Sequence, residues 1–447
     1  MAGVIESPEE MIDVIAYNKT TDRKGQVSEY FALEPEVSLT SRSMHYSNTF
    51  FEGSVVVVHP GKDGSHRLYL LHQDWHHARL MNGLEYCLRP HVPISRDQYL
   101  LSIVNLLYAN GWDANKPVNL TGNEVNEIYV RPLAYRGASD ILPLSGADSY
   151  SLAVFAFPKP SYHGKAGDGF SVLAVPEPRT LSAPHMKRSD NYPQADLWIE
   201  RMRKMLAWIE RDKPEIIIDG EKVPAGEKYK QAVEMLKGSL KEVLFCNSEG
   251  KVTEGSAENV AMVNWNLLYT PPLKDGVLPG FTMQKTELMG EMLGLRVFRE
   301  GFTLKKAKKA DLLILTGTAA NAVKVDRIVE CGWDNDIDGN RNYSPKGQVT
   351  VTSIGNMRGA QIYEKISEEH LKIKAGKSSL GKFGFYADDC LAPKEIRELR
   401  EMAEFIRRNG KLDRTVFRGL RGDVPPGSET KLAGGKQLTY GKLLNIR

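Results

Sequence analysis

Runs of apolar residues, and their breaks, mark out the elements of the chain. In MHYSNTFFEGSVVVV (44–58) four consecutive valines read as a buried strand, with Gly53 where the backbone must turn or approach closely. His45, Tyr46, Phe51 and Glu52 cluster just ahead of it, as a pocket wall or as a packed hairpin end. LYLLHQDWHHARL (68–80) reads as a strand running into a helix, with Arg79 one turn beyond His76. A second helical pattern, DQYLLSIVNLLYAN (97–110), stops at Gly111. Strand-like NEIYVRPLAY (126–135) puts Tyr129 and Arg131 on one face and Val130 on the other, because strand side chains alternate. SLAVFAF (151–157) predicts a further strand, and PKPSYHGKAGDG (158–169) has the composition of a linker.

Beyond the linker, ADLWIERMRKMLAWIERD (195–212) is helical in period. EVLFCNSEGKVTEGSAENVAMV (242–263) predicts strand, turn at Ser248-Glu249-Gly250, and strand. LLYTPPLKDGVLPGFTMQK (267–285) ends a strand, passes a Pro-Gly turn and starts a helix at Phe281-Thr282. DLLILTGTAANAVKV (311–325) is a buried strand opening into a small-residue turn, Thr316 to Ala320.

Length and charge narrow the class. With 447 residues there is room for about two or three domains. A formal charge of +3 gives no reason to expect a nucleic acid or a membrane as partner. The N-terminus lacks a basic region followed by an apolar run, and no stretch is apolar enough to span a bilayer, which predicts a cytoplasmic protein. Cys87, Cys246, Cys331 and Cys390 lie far apart without C-x-x-C spacing, against a zinc cluster or a disulfide framework.

Between Pro184 and Pro193, HMKRSDNY (185–192) crowds polar and aromatic residues around a lone methionine, a choice that neither helical nor strand period explains. Lys187 there is a candidate Schiff-base nucleophile, since an amine that is desolvated or set beside cations such as Arg188 and His185 can lose its proton. An exposed loop lysine is the plainer reading. Arg131, flanked by apolar residues in a strand, is a carboxylate binder or half of a structural ion pair. Arg79 is a solvated side chain unless other elements complete a phosphate site. Glu254 in EGSAEN (254–259) precedes Ala261-Met262-Val263, so a buried carboxylate that needs a partner is expected, and a protonated pyridine nitrogen is one such partner. The helix start at Phe281-Thr282 and the Thr316–Ala320 turn are two anion nests.

In this order HYSNTFFEG, HHARL, IYVRPL, KRSDNY, EGSAEN, TPP, LPGFT and TGTAA resemble the fold type IV pyridoxal-phosphate aminotransferases, most closely those for branched-chain amino acids, over roughly residues 30 to 372. The resemblance implies an α/β (α+β) architecture. A small N-terminal domain (1–158), a linker (159–169) and a larger domain (170–372) would enclose pyridoxal 5'-phosphate in their cleft, within a homodimer. It implies that Lys187 forms the Schiff base with the cofactor and that Tyr192 bonds its phenolic oxygen. Glu254 would pair with the ring nitrogen. Arg79, the N–H groups of Phe281 and Thr282, and Thr318 would hold the phosphate. Tyr46, Phe51, Tyr129, Arg131 and the N–H groups of Thr318 and Ala319 would line the substrate pocket. The activity implied is amino-group exchange between an apolar amino acid, branched-chain or bulkier, and 2-oxoglutarate or glutamate. A transaminase for D-amino acids or amines, an aminodeoxychorismate-type lyase, and a non-catalytic binding protein are the alternatives.

Three departures from the family pattern bear on this. Ser54 and Val55 follow FEG where a hydrophobic residue and then arginine are common. Residues 211–231 lengthen the spacing from Lys187 to Glu254 by about thirty residues and read as an inserted excursion. The extension 373–447 predicts one amphipathic helix, 393–409, with Ile396, Leu399, Phe405 and Ile406 near one face. The C-terminal stretch is basic, with 17 Lys and Arg against 9 Asp and Glu from residue 371 onward.

Overall fold

The structure, a computed structural model, describes residues 16–21, 27–32, 41–88, 94–118, 124–136, 150–159, 169–334, 344–390, 394, 397, 401 and 411–413. Two compact units divide the chain. The N-terminal unit comprises Ile5–Pro160, Met186–Ser189 and Ile373–Arg447, and the central unit Ser161–His185 and Asp190–Lys372. Lys187, read from the sequence as part of the larger domain, thus groups with the N-terminal unit, because its segment pairs with that unit's backbone: Arg188 bridges Phe50.

The N-terminal unit is built on a nine-stranded sheet. Within it Ser54–Pro60 lies antiparallel to His66–Leu71 on one side and to Glu127–Arg136 on the other. All four valines are buried, as their run predicts. Val56, Val58, Val130, Leu68 and Leu70 pack against Leu80, Tyr99, Ile103, Leu106 and Leu107 of the helices Gln73–Leu88 and Arg96–Ala109. The second helix starts one residue earlier than its pattern because Ser95 caps it: the Ser95 hydroxyl accepts from Gln98 N–H, and the Gln98 side chain accepts from Ser95 N–H. Since Ser54 faces Val130 on the helix side, alternation sends Val55, Tyr129 and Arg131 to the opposite face.

Parts of the C-terminal extension belong to this sheet. Gly384–Tyr386 pairs with His66–Leu71 at one edge, and Lys411–Asp413 pairs with Val27–Ala32 at the other. An open edge is a template for unwanted pairing, and both are covered. The Arg67 guanidinium lies 3.7 Å above the Tyr386 ring and its Nε donates to Asp388 at 2.9 Å. The predicted tail helix lies outside the described residues, apart from Lys394, Arg397 and Glu401, which are helical.

The central unit holds a six-stranded and a five-stranded sheet. The helix Pro193–Asp212 buries Trp198, Met202, Met205 and Ile209, one stripe at helical spacing, against Leu173, Phe245, Val329 and Val351. It ends at Lys213, whose φ of 49° turns the chain out of the helix. Within 211–231 lies a hairpin. Ile216–Ile218 and Glu221–Lys222 pair across Asp219-Gly220, both at positive φ, and Ile216–Ile218 adds parallel to Ser344–Ser353. The Asp219 carboxylate secures it by accepting from Ser353 N–H at 2.7 Å and Oγ at 2.8 Å. What reads as an excursion in sequence is an edge of the sheet.

The turn after Leu240–Cys246 is closed by Asn247, whose Oδ1 accepts from Glu249 and Lys251 N–H. The arm that follows differs from the predicted strand: it makes isolated bridges at Lys251, Val252 and Glu254, and regular pairing resumes at Asn259–Asn264. The chain turns at Gly255-Ser256, where the buried Glu242 carboxyl takes the Ser256 N–H and hydroxyl. Among the described residues no helix is long and apolar enough to cross a membrane.

Candidate active site

In the N-terminal unit Lys187 is fixed by its own backbone, whose carbonyl accepts the Phe51 N–H at 3.1 Å. Ser189 Oγ donates to the Ser47 carbonyl at 2.6 Å. Lys187 Nζ is 5.2 Å from the centre of the Phe51 ring, and the Arg131 guanidinium is 4.6 Å from the centre of the same ring. Phe51 therefore sets a lysine nitrogen and a guanidinium beside one aromatic surface. Arg131 Nη2 donates to Tyr129 Oη at 2.8 Å, while its Nε is buried with no hydrogen-bond partner. Among the described residues no carboxylate lies within ion-pairing distance of Arg131. Gly53 is required by close approach: a Cβ there would sit 1.9 Å from Tyr129 Oη. Tyr46 ends the short helix Arg42–Tyr46 and is 45% exposed.

Arg79 is 5% exposed, so it is not a solvated side chain. Its Nε donates to Glu52 Oε1 at 2.7 Å and its Nη2 to Oε2 at 2.6 Å, and His76 Nδ1 lies 2.8 Å from Oε2. Burial alone would raise the Glu52 carboxyl, but the charge and hydrogen bonds of Arg79, with the His76 bond, bring it down to about 2. Burial pushes His76 below its ordinary value, against the pull of Glu52. Sequence reasoning saw Glu52 and Arg79 without pairing them. The signal available was that His76 and Arg79, three apart on one helix face, need a common acid.

The central unit carries the second group. Glu254 is 7% exposed; its Oε1 is 3.2 Å from Arg179 Nη2, and its Oε2 faces the Leu278 N–H at 3.3 Å. Asn259 Nδ2 donates to the Leu278 carbonyl at 2.8 Å, so EGSAEN and the LPGFT segment are tied at both ends. At Gly280 a Cβ would lie 1.8 Å from Asn259 Oδ1, which is why glycine precedes the helix Phe281–Met292. No side chain caps that helix, and its first residues, Phe281 and Thr282, are buried. Leu312–Gly317 and Asn321–Val325 pair so that Thr318, Ala319 and Ala320 form the turn. Thr316 Oγ1 is buried without a hydrogen-bond partner. Tyr192 is the N-cap residue of the helix Pro193–Asp212. His185, read as a neighbour of Lys187, has its Nδ1 3.2 Å from the Val277 carbonyl.

Residues 229–328 match the family model for amino-transferase class IV. The chain is 23% identical over 325 residues to the probable branched-chain-amino-acid aminotransferase of Synechocystis sp., covering 73% of this chain and 89% of that protein. It is 22% identical over 298 residues to the branched-chain-amino-acid aminotransferase of Escherichia coli K12, covering 65% and 80%. The crystal structure of the Thermoproteus uzoniensis branched-chain aminotransferase with norvaline superposes with a TM-score of 0.55 at 22% identity, over 83% of this chain and 99% of that one. The fold is that of a class IV aminotransferase. With the family match, enzyme class and cofactor follow: a transaminase dependent on pyridoxal 5'-phosphate.

Two further acids are buried at the EGSAEN turn, Glu242 beneath it and Glu258 within it. Glu242 accepts from the N–H groups of Val243 at 2.7 Å and Ser256 at 3.0 Å, and from Ser256 Oγ at 2.9 Å. Burial, and then the neighbouring Glu258, push its carboxyl well above the usual range. Glu258 Cγ would be 3.3 Å from a Cβ on Gly317, so Glu258 lies against the start of the TGTAA turn as well. The residues present fit the aminotransferase's cofactor. They include a lysine and an arginine on one ring, a buried carboxylate, a helix start without a side-chain cap, and an unpartnered buried hydroxyl at Thr316.

Proposed function

We propose that the protein moves an amino group between an apolar amino acid, branched-chain or bulkier, and 2-oxoglutarate or glutamate. The observation that carries this reading is the placement of Lys187 and Arg131 on Phe51, which sets an amine beside a guanidinium that has no carboxylate partner among the described residues. Bound pyridoxal 5'-phosphate would supply the electron sink for the charge left when a proton leaves the substrate carbon. Lys187 is the amine that holds the cofactor and the base that moves that proton. Glu254 keeps the ring nitrogen protonated, and Tyr192 bonds the phenolic oxygen. Arg79, the N–H groups of Phe281 and Thr282, and Thr318 hold the phosphate.

On the substrate side, Arg131 binds a carboxylate. Tyr46, Phe51, Tyr129 and the N–H groups of Thr318 and Ala319 complete the pocket. Val55, paired with Tyr129 on the face that carries Arg131, leaves an apolar wall where the family pattern often has arginine. The resemblance also supports a homodimer, to be read by sizing; the cytoplasmic location expected from the sequence is to be read by fractionation. The test of the chemistry is borohydride reduction of the cofactor-loaded protein, followed by peptide mapping. The cofactor should become fixed to Lys187, and a label on another lysine would overturn the assignment. A panel of amino acids then reads the substrate from the change in cofactor absorbance, and turnover of D-amino acids alone would overturn the substrate class.

A further inference from the structure

Arg179 had no place in the sequence-based site, and the structure puts it against the acid that matters most there. It follows Pro178 at the end of Ser171–Pro178, and its N–H is held by the Cys246 carbonyl at 2.7 Å. Its guanidinium lies 4.3 Å from the centre of the Phe245 ring, and Nη2 is 3.4 Å from the carbonyl oxygens of both Asn191 and Ser256. The side chain is 3% exposed. Nη2 reaches Glu254 Oε1 at 3.2 Å, while Nε and Nη1 are buried without hydrogen-bond partners. Burying a guanidinium with two nitrogens unsatisfied is costly, and neither the stack on Phe245 nor the two long carbonyl contacts remove that penalty. Packing alone would be served better by an apolar side chain.

We infer that Arg179 is a positioning residue that keeps Glu254 ionised, so that a proton shared between Glu254 and a facing basic nitrogen sits on the nitrogen. The inference rests on the function proposed above, in which that nitrogen belongs to the cofactor ring. Two groups can hold such a proton. A buried carboxyl with no nearby cation holds it itself, because burial disfavours the carboxylate. A fixed positive charge next to Oε1, with the Leu278 N–H on Oε2, reverses that preference by stabilising the carboxylate. The shared proton then stays on the ring, where a positive charge is needed to draw electrons from the reacting carbon. Arg179 acts on the chemistry through Glu254.

The test uses the loaded enzyme with isotopically labelled ring nitrogen, read by nitrogen NMR. Wild type should show a protonated ring nitrogen, Arg179→Met a predominantly neutral one, and Arg179→Lys should restore the wild-type signal. Turnover in Arg179→Met should fall at least about tenfold, with a smaller change in KM, if the proton is lost from the ring. A second reading needs no cofactor. In the cofactor-free protein with labelled glutamate, removing the adjacent positive charge in Arg179→Met should make the Glu254 carboxyl titrate at least about one pH unit higher. If Arg179→Met does not fold, Arg179→Gln keeps a donor, loses the charge, and reports the same quantities. A protonated ring nitrogen and an unmoved Glu254 titration in the folded neutral variants would overturn the inference and leave Arg179 a structural ion pair. Failure of wild type to bind the cofactor at all would instead overturn the proposed function, and the Glu254 titration would still decide the role of Arg179.

Discussion

Replacing Glu52 by glutamine leaves Arg79 buried without its carboxylate and His76 without its charged acceptor. Breaking a buried pair in this way costs about 3–5 kcal/mol, because the remaining charge is stranded. The structure supplies an independent magnitude. A fully buried carboxyl lowered from 4.5 to about 2 represents ~3 kcal/mol, at about 1.36 kcal/mol for each tenfold change in proton affinity. The folded value is depressed, so this stability is present above pH 4.5 and is lost as the pH falls towards 2. Hydrogen exchange read by mass spectrometry on peptides spanning 54–71 isolates the N-terminal unit. At pH 7 those amides should exchange about two to three powers of ten faster in Glu52→Gln, and the gap to wild type should close on acidification through that window. The double variant Glu52→Gln with Arg79→Met should recover much of the loss, since no charge is left unpaired. A difference below about 1 kcal/mol at pH 7, or one that persists unchanged in acid, would refute the argument.

Arg131→Ala should raise KM for 2-oxoglutarate more than for an apolar keto acid, by an amount equivalent to about 2–5 kcal/mol, because only the former loses a cation for its second carboxylate. Equal effects on both would return Arg131 to a structural role. Glu242 has its carboxyl raised by burial and by Glu258, so its contribution to stability is full below the unfolded value and is lost as the pH rises through the folded one. Glu242→Gln should therefore flatten the alkaline side of the stability profile, and an unaltered profile would show that Glu242 does not titrate there. Deleting residues from 373 onward removes the strands that cover both edges of the N-terminal sheet, and should promote self-association visible by light scattering. A truncated protein that stays at wild-type size and melting temperature would show the edges need no cover.

Local chemistry made much of this protein legible without its fold. The valine run and the Pro-Gly turn before Phe281 depend on neighbours in sequence, and the structure has a strand and a helix start there. Gly53 was legible as a point of close approach, although not what approaches: the Tyr129 hydroxyl arrives from a strand 76 residues on. Pairings across such distances were decided by the tertiary structure. Glu52 and Arg79 lie 27 residues apart, and their ion pair exists because the strand end and the helix face are packed together. Arg179 and Glu254 are 75 residues apart and meet because Ser171–Pro178 and Leu240–Cys246 are adjacent parallel strands. The residues at 211–231 looked like an addition because hydrogen bonds to Ser344–Ser353, supplied more than a hundred residues later, leave no periodic mark on so short a strand. A side chain's type records what it can bind, and only the packed chain determines which partner comes within reach.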